Sequence, residues 1–167
     1  MRHRSAKWTR AWHRVEVVVA LGVLLAPAAA KAAGPYEFFS VTPCRIVDTR
    51  GPTGVLGGPA LASGSTRNFP ISLAPAACGV PNTAKAAVLN VTLVTPSLNG
   101  FLSIWPFGTP APLVSTINAA AGEPAIANGA IVPLTTTDPS FNISLIYGTA
   151  VSGGAAHVIL DVTGYFQ

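Results

Sequence analysis

Residues 42–51 read "TPCRIVDTRG" and gather Cys44, Arg45, Asp48 and Arg50 into ten positions of a chain that is otherwise almost uncharged. Three chemistries suit those residue types. A cysteine among arginines can serve as a nucleophile if a base lies beside it, or as one half of a disulfide. Arginine and aspartate can close into a charge-assisted fork with each other. The same groups, left open, can clamp a ligand carboxylate or the hydroxyls of a sugar. Which of these applies depends on the partners that the rest of the chain supplies.

Catalytic partners are scarce. His157 is the one histidine after residue 32, and Asp161 lies four positions along the same strand face, about 13 Å away by strand rise, so the two cannot form a dyad. No G-x-S-x-G elbow, H-E-x-x-H pair or phosphate-cradling loop appears. A glycosidase needs two carboxylates about 5–9.5 Å apart, and nothing in five scattered acids nominates a pair. Two cysteines and one histidine fall short of a zinc site, and no run of acids offers calcium its six to eight oxygens. The expectation is therefore no enzyme, no metal and no cofactor. Asn90-Val91-Thr92 and Asn142-Ile143-Ser144 match the N-glycosylation pattern, but both lie within strand-like runs.

Charge is distributed in a way that explains the basic balance. Residues 1–16 carry Arg2, Arg4, Lys7, Arg10 and Arg14 against Glu16, and "VVVALGVLLAPAAA" follows as an apolar run of about ten to fourteen residues. That run is short for a membrane span, which wants about 20 residues. It fits the core of a secretory signal peptide, with Ala30 and Ala32 at the −3 and −1 positions of a cleavage site, so residues 1–32 are read as a leader and 33–167 as the product. The alternative is an uncleaved anchor. Residues 33–167 keep four cations (Arg45, Arg50, Arg67, Lys85) and five anions (Glu37, Asp48, Glu123, Asp138, Asp161), a net charge of −1. Four scattered cations make no phosphate-binding footprint, which excludes nucleic acid as a partner. The membrane enters only through the leader, during export.

Cys44 and Cys78 are the two cysteines of the chain. In an oxidising compartment their expected fate is a disulfide. Pro and Gly make up 29 of residues 33–167, below the share that marks low-complexity disorder.

The positioning elements read as short strands broken by turn chemistry. Strand-like runs cover 36–41, 44–49, 65–73, 86–95, 100–105, 113–119, 126–134, 140–147 and 155–166, separated by segments such as "GPTGVLGGP", "PFGTPAP" and "TTDPS". About nine short strands with no helical period predict an all-β, two-sheet β-sandwich, jelly-roll-like, in a single domain over 33–167. Alternation assigns Ala87, Leu89, Val91 and Leu93 to one face, and Ala156, Val158, Leu160 and Val162 to another. On the first strand it sets Cys44, Ile46, Asp48 and Arg50 against Arg45, Val47 and Thr49. Several strands are apolar on both faces, which predicts a covering layer or a partner subunit. A faint echo links 61–73 and 119–134, and shared turn chemistry explains it equally well.

Taken in order, "TPCRIVDTRG", "CGVPNTAKAAVLNVTLV" and "VILDVTGYF" resemble a family of secreted bacterial β domains of acidobacteria, actinobacteria and myxobacteria, which open on C-R-x-V/L-D-T-R and close on D-V-x-G-Y-F. The resemblance spans residues 38–167. It implies secretion and a compact β domain containing the cysteine pair, and it implies no established activity. With the chain ending one residue after "GYF", the expectation is a whole single-domain protein.

Two non-catalytic roles remain. The preferred one is a secreted extracellular or cell-surface structural or interaction module, self-associating or bound to other surface proteins, since so few charges leave little to keep copies apart. In that reading Arg45, Asp48, Arg50 and Asp161 form structural ion pairs beside the Cys44–Cys78 staple. The alternative is a carbohydrate-binding module for cell-wall or environmental polysaccharide, with Trp105, Phe107 and Tyr36 as stacking platforms. That alternative requires the three rings to be exposed together, whereas core packing is the ordinary use of Trp105.

Overall fold

The computed structural model describes residues 34–72 and 78–167, and the proposed leader and cleavage site at 1–32 lie outside the described residues. Nine strands are present: β1 (Phe38–Asp48), β2 (Leu61–Ala62), β3 (Thr66–Phe69), β4 (Ala86–Val94), β5 (Gly100–Pro106), β6 (Ile117–Ala119), β7 (Ala125–Pro133), β8 (Ile143–Thr149) and β9 (Ala155–Phe166). They form a β-sandwich of two antiparallel sheets. One sheet runs β1-β9-β4-β7, with β2 also on β9; the other runs β3-β8-β5-β6. The wiring is nested: β5 pairs with β6, β4 with β7, β3 with β8 and β1 with β9. From β1 to β9 the chain thus runs out and back as one antiparallel ribbon, with Phe38 at the start of β1 opposite Phe166 at the end of β9.

Period-2 alternation builds the core as the sequence predicts. Ala87, Leu89, Val91 and Leu93 of β4 and Ala156, Val158, Leu160 and Val162 of β9 are buried inward, against Leu102, Ile143, Leu145 and Tyr147 of the facing sheet. The hydroxyl of Tyr147 donates to the Leu98 carbonyl oxygen at 2.5 Å, so its buried polar end is satisfied. Two glycines sit beneath aromatic rings: a Cβ on Gly148 would meet the Phe101 ring at 2.3 Å, and one on Gly164 would meet Phe38 at 2.4 Å. These rings cover backbone that a side chain would otherwise fill.

The first strand departs from the expected pattern. The runs 36–41 and 44–49 are one strand rather than two, and "GPTGVLGGP" leads into the two-residue β2. Register slips twice along β1, between Ser40 and Cys44 and again between Arg45 and Val47. The second slip is a bulge at Ile46, and both Ile46 and Val47 are buried. Strict alternation therefore fails. Arg45, expected opposite Asp48, shares the outer face with it, and Ile46 moves to the core side. A bulge adds one residue to the period, which converts a two-residue spacing into a three-residue one.

Candidate functional site

The bulge brings four charged side chains together on the outer face of the five-stranded sheet. Opposite Arg45 on β9 stands Asp161. The guanidinium grips that carboxylate with two donors, Nε to Oδ1 at 2.8 Å and Nη2 to Oδ2 at 3.2 Å. Its third nitrogen, Nη1, lies 3.5 Å from Oδ2 of Asp48. Arg50 closes the other end: Nε and Nη2 donate to Asp48 Oδ1 and Oδ2 at 2.8 and 2.7 Å, and the Arg50 backbone N–H adds a third bond to Oδ1 at 3.1 Å. The result is a zigzag, Arg50–Asp48–Arg45–Asp161, with no net charge.

The ion pairs expected among these four residues are present, and they lie at the surface: the side chains are 49% (Arg45), 46% (Arg50), 26% (Asp48) and 22% (Asp161) exposed. Solvent screens pairs of that kind, so each contributes little stability. The electrostatics follow the hydrogen bonds. The Arg50 guanidinium, helped by the Arg50 N–H and Arg45, holds the Asp48 carboxyl at about 2. Hydrogen bonding to Asp161 and to Asp48 raises Arg45 and Arg50 respectively above the ordinary arginine value.

A depression of about 480 Å³ opens beside this zigzag, lined by Pro43, Cys44, Arg45, Asn90, Asp161 and Thr163. Cys44, one of its lining residues, is bonded to Cys78, with Cα atoms 5.5 Å apart. Cys44 is the first residue after the irregular Val41–Pro43 segment of β1, so the bond pins the strand just where its register slips. Among the described residues that line the depression there is no nucleophile–base pair. The Thr163 hydroxyl donates to the Val88 carbonyl oxygen at 3.3 Å, and both carboxylates are engaged by guanidinium. Among the described residues no cluster of three His, Cys, Asp or Glu converges on a metal position.

His157 is occupied elsewhere. Its Nδ1 lies 2.9 Å from the Thr49 carbonyl oxygen, so Nδ1 carries the proton and ties β9 to the end of β1. The buried Thr49 hydroxyl completes the tie by accepting from the Val158 N–H at 2.9 Å.

The aromatic expectation is corrected as well. Trp105 is 7% exposed, and its indole N–H donates to the Thr109 carbonyl oxygen at 3.1 Å, so it offers no open face. Phe107 packs against Phe141 with ring centroids 5.3 Å apart. Tyr36 is exposed, so the three rings differ in exposure and do not present together. A buried indole at a strand end is what a core needs from the one tryptophan of the domain.

Sequence reading missed Arg67. Its guanidinium stacks 4.9 Å above the Phe69 ring and donates to the carbonyl oxygens of Pro59 at 2.5 Å and Gly57 at 3.0 Å, clasping the 51–59 loop. Burial lowers its pKa from the ordinary arginine value. The two-residue spacing from Phe69 is visible in "TRNF"; the carbonyl cage is not, because it comes from a loop folded back against the strand.

No family model and no curated protein matches the chain. Among solved structures it is similar to a chain of the cyanophage Pam1 capsid asymmetric unit, at 18% identity and a TM-score of 0.29, over 86% of this chain and 99% of that one. A likeness at that level bears on neither function nor partner.

Proposed function

We propose that this protein is an exported structural or interaction module, without catalytic activity, that works by lateral association on or near the cell surface. One observation carries the reading: charge is drawn into the neutral zigzag on β1, while the opposite flank of the sandwich is left apolar and open. There Leu113, Val114 and Ile131 are 106%, 69% and 63% exposed, and Phe101, Pro112, Leu113 and Val114 line a depression of about 300 Å³. Exposed apolar side chains gathered in this way favour association. The disulfide is compatible with an oxidising, extracellular setting. No helix among the described residues is long and apolar enough to cross a membrane. The nested strand wiring supports a jelly-roll-like winding of the sandwich. Against a catalytic role, a carboxyl held at about 2 is a poor proton carrier near neutral pH.

The test is retention of the oxidised protein on cell-envelope fractions and on insoluble cellulose, chitin and peptidoglycan, beside a Leu113→Asp/Val114→Asp variant. Retention of the parent on envelope fractions, lost in the variant, is the expected result. Retention on a pure polysaccharide that survives the double substitution and fails in Phe107→Ala would instead favour glycan binding. A protein held by nothing, and monomeric, overturns the reading.

A further inference from the structure

Strand β7 has the features that ordinary edge strands are built to avoid. Among the described residues it pairs on one side alone, with β4, so its other side carries unpaired N–H and C=O groups. Proteins guard such edges with charges, internal prolines, bulges or a covering element. The nine residues "AIANGAIVP" contain no charge, and the single proline is the last of them. Pairing with β4 is unbroken over all nine positions, so no bulge turns the strand away. At 3.4 Å per residue the edge is roughly 30 Å long.

We propose that β7 pairs antiparallel with β7 of a second copy of this chain about a two-fold axis, joining the two five-stranded sheets into one continuous sheet. The inference rests on the interaction reading above and names its partner. Three observations favour a second copy over an unlike chain. Antiparallel pairing about a two-fold sets residue i against residue j of the other copy and j against i, so the segment must be compatible with its own reverse; β7, with no charge anywhere along it, brings no like charges together. Side chains that could select an unlike partner are few: along one face Ala125, Ala127 and Gly129 are small and exposed, and the one large side chain there, Ile131, is apolar and exposed. Finally, the apolar flank adjoins this edge. The Asn128 side-chain amide donates to the Thr116 carbonyl oxygen at 2.9 Å, which places the segment bearing Leu113 and Val114 alongside β7, where a second copy covers it.

The experiment is sedimentation of the oxidised protein from about 1 to about 100 μM, with hydrogen exchange of the β7 amides at both ends of that range. Ala127→Lys puts one positive charge from each copy into the paired segment. Val151→Lys adds the same charge at an exposed position outside β7. A dimer is expected, with β7 amides protected at high concentration and exchanging faster on dilution. Ala127→Lys should weaken it at least tenfold and Val151→Lys should leave it unchanged; thermal unfolding verifies that both variants fold. A monomer throughout, or a dimer indifferent to Ala127→Lys with β7 amides unprotected, overturns the inference. If that monomer is still retained on envelope fractions, the second copy falls as partner while the interaction reading stands.

Discussion

Replacing Cys44 and Cys78 by alanine removes a cross-link between residues 34 positions apart. In the chain-entropy description, releasing a loop of that length restores about 12–13 cal/mol/K to the unfolded chain, or about 3.7 kcal/mol at 25 °C. A domain of this size has roughly 5–15 kcal/mol in all, so the loss is a large fraction. Native packing adds to it: Cys78 belongs to the core, and the bond holds β1 at the irregular Val41–Pro43 segment. Urea unfolding reads the effect. With a slope of about 1.5 kcal/mol/M, the midpoint of Cys44→Ala/Cys78→Ala should fall by about 2.5 M, and reduction of the parent should produce a similar fall. A shift below about 0.5 M would refute the reasoning, because opening the cross-link would then leave the entropy of the unfolded chain almost unchanged.

Two smaller perturbations probe the outer face of the same sheet. The Asp48 carboxyl is depressed from 3.8 to about 2, so its contribution is complete above the ordinary carboxylate range and disappears as pH falls between those values. Solvent screening keeps that contribution below about 1 kcal/mol, and Asp48→Asn should flatten this part of the urea midpoint-against-pH curve; identical slopes in parent and variant would disprove it. Gly164→Ala would bring a Cβ to 2.4 Å from the Phe38 ring and 2.8 Å from the Phe39 carbonyl oxygen, for a loss of about 1–3 kcal/mol in urea unfolding. Phe38→Ala in the same background should restore only part of it, since the backbone oxygen remains; full restoration would mean that the ring alone sets the limit.

Fold class was legible because half-buried strands write their burial directly into alternate residues. The inward faces of β4 and β9, the disulfide pairing and the absence of helical period all follow from residue type at known spacing, with no need of long-range geometry. The same local logic misled at β1. Alternation cannot foresee a bulge, because a bulge is set by how the strand must bend to follow its neighbour, and here it carries Arg45 across to the face of Asp48. The four charges of the zigzag were legible as ion-pair partners, but which arginine takes which carboxylate was decided by the pairing of β1 with β9, which closes the Arg45–Asp161 fork across 116 positions. Arg67 was not legible, because its acceptors lie in a loop that only folding brings back.

Composition by itself determined that residues 33–167 carry four cations, five anions, two cysteines and one histidine. Where those few charges stand was decided by the tertiary structure. Strand order put β1 and β7 at opposite edges of one sheet, gathering the zigzag at one and leaving the other uncharged. Which strand ends a sheet is settled by the pairing of all the others, and no local stretch of sequence contains that information.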